Sequence, residues 1–135
     1  MKHLFIINPK AGKANGRIPE IKNDIQSFFA GRPEVDYTIH VTRWKRDASG
    51  YTLRYASDTR EIVRIYALGG NGTFYEIING AVGLPNVQIA WYPLGKNNSL
   101  LHSFGPEHLP AFQSLMNLSL SPVGTIDTIK VGNNY

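Results

Sequence analysis

The sequence predicts an α/β fold: a parallel sheet with helices on its faces. Short apolar runs that read as strands alternate with longer segments whose apolar residues recur every three or four positions. The turns that follow the apolar runs are rich in Gly, Asn and Pro. At 135 residues the chain can enclose one hydrophobic core, so a single unit is expected.

His3-Leu4-Phe5-Ile6-Ile7 is the first strand, broken by Asn8-Pro9-Lys10-Ala11-Gly12-Lys13. Ile18, Ile21, Ile25 and Phe28/Phe29 share one face of a helix that Gly31 and Pro33 end. Val35, Tyr37, Ile39 and Val41 alternate with Asp36, Thr38 and His40, a strand near a sheet edge with one face well buried, and Thr42 lies at its carboxyl end. A weaker helix over 47–56 carries Asp47 as its cap. A buried strand at 62–67 precedes a helix at 73–82, which Gly83 and Pro85 end; a fourth strand follows at 87–92. A second polar turn at 93–99 leads to short helices at 100–104 and 107–118, and a strand at 125–131 enters a turn at Gly132-Asn133-Asn134.

Ligands of such sheets bind beyond the carboxyl ends of the strands. Residues 8–13, Thr42, the run Gly69-Gly70-Asn71-Gly72-Thr73 and the turn at 95–98 are therefore expected at one edge. The glycine run stands at a strand-to-helix junction, where free N–H groups and the helix dipole favour an anion and missing side chains admit a polyphosphate. Neither a Gly-x-Gly-x-x-Gly nor a P-loop is present. Thr73 and Glu76 also suit a capping box, but that leaves Gly69, Gly70 and Gly72 together without a reason.

Other chemistries find little support. The absence of cysteine removes disulfides and thiolate catalysis and suits a cytoplasmic location. His3, His40, His102 and His108 lack metal-ligand spacing, and no His–carboxylate pair or nucleophile elbow can be argued. Trp91 is most simply core, and Glu20, Asp24, Glu34, Asp58 and Glu61 are ordinary solvent-facing carboxylates; Asp127 lies in a strand. The net charge of +4 is scattered, so nucleic acid is not an expected partner. The compact cluster Arg43-Trp44-Lys45-Arg46 has the composition to meet a phosphate group or, as a peripheral contact, an anionic membrane; a solvated loop is the favoured reading.

At Asn8-Pro9 with Gly12, at Thr42, at LGGNGTFYEIINGA over 68–81 and at PLGKNNSL over 93–100, the chain resembles the catalytic domain of diacylglycerol kinases and their relatives, the sphingosine, ceramide and bacterial lipid kinases. The likeness runs nearly end to end. It implies a Rossmann-like fold, similar to NAD kinases and phosphofructokinases, that holds ATP with Mg²⁺ and transfers the γ-phosphoryl group to a lipid hydroxyl such as that of diacylglycerol. It implies cofactor contacts from Asn8, Pro9, Lys10, Ala11 and Gly12, from Thr42, from Gly69, Gly70, Asn71, Gly72, Thr73, Phe74, Tyr75 and Glu76, and from Gly95, Lys96 and Asn98. No catalytic residue or metal ligand is assigned: Asn71 stands where the family carries Asp, and an amide is a weaker Mg²⁺ partner. Lys96 replaces a nucleotide-facing Thr.

The resemblance further implies a second, mainly β domain that completes the lipid site. Residues 1–124 are then the nucleotide-binding domain and 125–135 the start of the connection to the second domain. The chain alone is expected to be inactive, to need that domain for a lipid acceptor, and to expose an apolar face that favours a homodimer. A non-catalytic nucleotide or phospholipid sensor, which Asn71 and Lys96 suit, and a small-molecule kinase of the NAD kinase type remain alternatives.

Overall fold

A computed structural model describes residues 1–11 and 16–93. Seven elements run in strict alternation: β1 (Lys2–Ile7), α1 (Ile18–Ala30), β2 (Asp36–Val41), α2 (Asp47–Ser57), β3 (Val63–Gly69), α3 (Asn71–Ala81) and β4 (Val87–Pro93). All pairings are parallel, in the order β2-β1-β3-β4. The expectations for Gly12, for residues 94–124, including Gly95, Lys96 and Asn98, and for residues 125–135 lie outside the described residues.

The central strands show why the sheet is covered on both faces. Leu4, Phe5, Ile6 and Ile7 are all fully buried, as a strand inside a parallel sheet requires. Alternate residues of a strand point to opposite faces, so Leu4 and Ile6 join Ala48 and Ala56 of α2 and Phe74 and Ile77 of α3. Phe5 and Ile7 join Ile21, Ile25 and Phe29 of α1 on the other side. Ring stacking extends each core: Phe5 lies on Tyr66 at 4.2 Å and Phe74 on Trp91 at 4.4 Å.

α1 ends at Gly31 as the sequence predicts, with an ordinary φ of −83°, and the Arg32 guanidinium binds the Phe28 carbonyl at 2.7 Å and lies over the Phe28 ring. Other boundaries differ from the sequence expectations, each for a local reason. Asp47 is the first residue of α2 rather than its cap, since Arg46, at φ +70°, occupies the cap position. β2 is an edge strand of the described sheet, but its polar residues do not face water alone. Thr38 meets the Tyr55 hydroxyl at 3.3 Å, and His40 stacks on Tyr51 at 3.8 Å.

One buried polar pair gives the fold a pH dependence. His3 Nδ1 lies 2.7 Å from the Tyr66 hydroxyl. Burial, then the Arg64 and N-terminal charges, hold His3 below its ordinary 6.5, and burial pushes Tyr66 up to about 12. A depressed histidine favours folding when neutral, so its contribution is complete above pH 6.5 and is lost as pH falls through the lower folded value. Urea midpoints measured from pH 8 to pH 5 should fall on the acid side, and His3→Gln, which keeps a partner for Tyr66, should flatten that part of the decline.

Candidate functional site

Three strand ends build the site. The Asn8 N–H donates to Leu68 O at 3.0 Å, its side-chain Oδ1 accepts the Lys10 N–H at 3.0 Å, and its carbonyl accepts the Ala11 N–H at 3.1 Å. This turn, typical of Asn, holds β1 beside β3 and leaves Lys10 exposed. The Thr42 N–H donates to Ile7 O at 2.9 Å, and its hydroxyl to the same carbonyl at 3.4 Å. Thr42 thereby brings the β2–α2 loop against the end of β1.

The third strand end is the glycine turn. Gly70 is the N-cap of α3, in extended conformation, and no side chain caps the helix. The helix therefore begins at Asn71, two residues earlier than expected, and the Thr73–Glu76 capping box is not formed. Thr73 lies inside the helix, where it is buried against Gly69. A β-carbon on Gly69 would collide with the Thr73 side chain and come within 3.4 Å of Asn8 Cβ, so this glycine serves close packing of strand, turn and helix. A β-carbon on Gly72 would meet nothing within 4 Å. Trp91 donates from Nε1 to Gly69 O at 3.1 Å and ties the turn to β4.

These ends enclose a cavity of about 290 Å³ lined by Asn8, Pro9, Lys10, Thr42, Arg43, Trp44, Lys45, Ala48, Thr73 and Glu76. Lys10, Arg43 and Lys45 give it a cationic rim opposed by one carboxylate, Glu76. A larger depression of about 540 Å³, lined by Lys2, Tyr51, Arg54, Tyr55, Ser57 and Asp58, is separate from these strand ends. Of the residues expected to touch a cofactor, Asn8, Pro9, Lys10, Thr42, Thr73 and Glu76 meet in the smaller cavity. Gly70, Asn71, Gly72 and the exposed Tyr75 form the adjoining start of α3. The Ala11 and Phe74 side chains are buried in the two cores.

Sequence reasoning missed one pair. His40 Nε2 lies 3.0 Å from Asp47 Oδ2, which also accepts the Arg43 N–H at 2.9 Å. Burial works to raise the Asp47 carboxyl; the Arg43 N–H and His40 outweigh it, so the group titrates below its ordinary value. The signal was a strand residue and a helix-start residue seven positions apart across a short loop, which becomes visible only once β2 and α2 are packed. Asp47→Ala leaves the Arg43 N–H and the His40 ring without this acceptor and should cost about 2 kcal/mol, read as a lowered urea midpoint at pH 7.

The ATP and Mg²⁺ implied by the resemblance fit this site unequally. Polyphosphate suits an uncapped helix start, the open space over Gly72 and a cationic rim. For Mg²⁺, which favours carboxylate oxygens, the cavity lining offers Glu76, and Asn71 contributes an amide. Among the described residues no three of His, Asp or Glu cluster as a metal site, and no helix is long and apolar enough to cross a membrane.

Comparison with known proteins identifies the family. Residues 2–131 match the family of the diacylglycerol kinase catalytic domain. The Bacillus subtilis protein named "Putative lipid kinase YtlR" is 28% identical over 118 residues, which are 85% of this chain and 37% of that protein. Two solved structures from Bacillus anthracis strain Sterne, each described as a "putative diacylglycerol kinase", match with TM-scores of 0.63 and 0.62 at 28% and 27% identity. They share 86% of this chain with 39% and 41% of their own, so the chain spans about two fifths of the length of these relatives. With a match across nearly the whole sequence, the chain belongs to the diacylglycerol kinase catalytic domain family.

Proposed function

We propose that this chain is the ATP-binding part of a lipid kinase, which passes the γ-phosphoryl group of ATP to the hydroxyl of a diacylglycerol-like lipid. One observation carries the reading: the ends of β1 and β2 and the start of α3 surround a single cavity with Lys10, Arg43 and Lys45 on its rim. The α3 start would hold phosphate oxygens on backbone N–H groups, and the rim cations would neutralise their charge. Phosphoryl transfer depends mainly on such positioning and charge stabilisation. Mg²⁺, when bound, would add charge neutralisation between phosphates, and Glu76 is the carboxylate available to it here. The base for the lipid hydroxyl is not assigned among the described residues.

The reading is tested by calorimetric titration of the chain with ATP, ADP and adenosine. Affinity should fall in that order, and Lys10→Glu should weaken ATP binding about ten-fold, the loss of one charge-assisted phosphate contact. Adenosine binding as tightly as ATP, or no ATP binding, would refute it. Asn71 favours a second reading, a non-catalytic nucleotide or phospholipid sensor. If so, a longer protein containing this sequence binds ATP without turnover, whereas ATP-dependent phosphorylation of diacylglycerol excludes the sensor. On either reading we propose that the 135-residue chain by itself does not phosphorylate lipid.

A further inference from the structure

We propose that the loop at residues 43–46 docks the protein on an anionic lipid bilayer, with Trp44 as the interfacial anchor and Arg43, Lys45, Arg46 and Lys10 facing lipid phosphates. This docking rests on the kinase reading above, in that the face laid on the bilayer is the one that opens onto the cavity.

The favoured sequence expectation was a solvated loop, and three features of the structure argue against it. The first is the exposure of Trp44. Its surface is 61% exposed, the highest of the exposed large hydrophobic residues among those described, and the Arg43 guanidinium lies over its ring at 4.7 Å. An indole left outside the core, with a cation stacked on it, suits the bilayer interface, where an apolar ring and a polar edge are both satisfied.

The second feature is charge. Lys10, Arg43, Lys45 and Arg46 are all exposed, and three of them line one cavity with Trp44. The nearest carboxylate in sequence, Asp47, does not offset them at the surface, because it is buried and engaged by His40 and the Arg43 N–H. The third is preorganisation. The Asp47 N–H donates to Trp44 O at 3.2 Å, the Gly50 N–H to Arg46 O at 3.1 Å, and Arg46 closes the loop at φ +70°. A loop already held in shape loses little freedom on docking. A single Trp among cations also fits lipid better than nucleic acid, whose single strands call for successive stacking aromatics.

Vesicles of equimolar phosphatidylglycerol and phosphatidylcholine are titrated into the chain at low salt while tryptophan emission is followed. A blue shift is expected, absent with pure phosphatidylcholine and absent in Trp44→Phe, since Trp91 is buried against Phe74 and should not respond. The double variant Lys45→Ser/Arg46→Asn, in which Asn keeps a residue tolerant of positive φ, should partition about 25-fold more weakly, since each cation contributes roughly five-fold. Circular dichroism of both variants checks that the fold is retained. No vesicle binding, equal binding to neutral vesicles, or binding without a change in Trp44 emission overturns the docking. A shift produced equally by inorganic phosphate or by single-stranded RNA overturns it too. ATP titration of the same sample separates the two readings: ATP binding without a vesicle response removes the docking alone, and a vesicle response without ATP binding removes the cavity reading alone.

Discussion

Replacing Gly80 by valine should destabilise the protein by about 3 kcal/mol, the upper range for forcing atoms into a packed interior, and lower the melting midpoint by roughly 10 °C. Gly80 lies on α3 where that helix crosses α2. A β-carbon there would collide with the Ser49 carbonyl oxygen and come within 3.0 Å of Ser49 C and Thr52 Cβ. Ser49 presents backbone, which cannot swing aside as a long side chain can, and Thr52 is fully buried. The helices would have to separate, opening the cluster of Ala48, Ala56, Phe74 and Ile77 between them and the sheet. The better helix propensity of other residues over glycine returns less than about 1 kcal/mol, so the collision decides the sign. Thermal unfolding followed by circular dichroism measures it; a midpoint within 2 °C of the wild type would show that the two helices do not pack as closely as described.

The order of elements and the edge where they converge were legible from periodicity and punctuation. Ile21, Ile25 and Phe29 repeat at helical spacing, Leu4 to Ile7 form an unbroken apolar run, and Asn8-Pro9 and the glycines interrupt at the strand ends. These signals are local, so a reading residue by residue captures them. The start of α3 was misplaced because Asn71 and Gly72 are poor helix formers. Their place in the first turn is set by the packing of Thr73 on Gly69. His40 was read as one of the polar residues of a half-buried edge strand, yet Asp47 and Tyr51 of α2 meet it there. Such pairings depend on where the next helix lands, which no window of the sequence contains. The three glycines of the turn were given one common reason, close approach of a ligand, and the structure divides them. Gly69 is needed by its own neighbours, while Gly72 has none to accommodate.

That division supplies the sharpest test of the phosphate cradle. Gly72→Val should leave stability unchanged or raised by a few tenths of a kcal/mol, since valine is the better helix former and its β-carbon enters open space. It should nevertheless weaken ATP binding at least about a hundred-fold, because its methyl groups would stand where phosphate oxygens reach the first N–H groups of α3. Gly69→Ala should show the opposite balance. Its β-carbon meets Thr73, so stability falls by about 1–2 kcal/mol, and any loss of ATP affinity follows from the disturbed turn. Urea unfolding and ATP calorimetry on both variants separate the two effects. A glycine kept only for turn geometry would give Gly72→Val a stability defect and normal binding; a glycine kept for a polyphosphate gives a stable protein that no longer holds its nucleotide. If Gly72→Val binds ATP as the wild type does, the α3 start is not the phosphate site, whatever the fold it shares with its relatives.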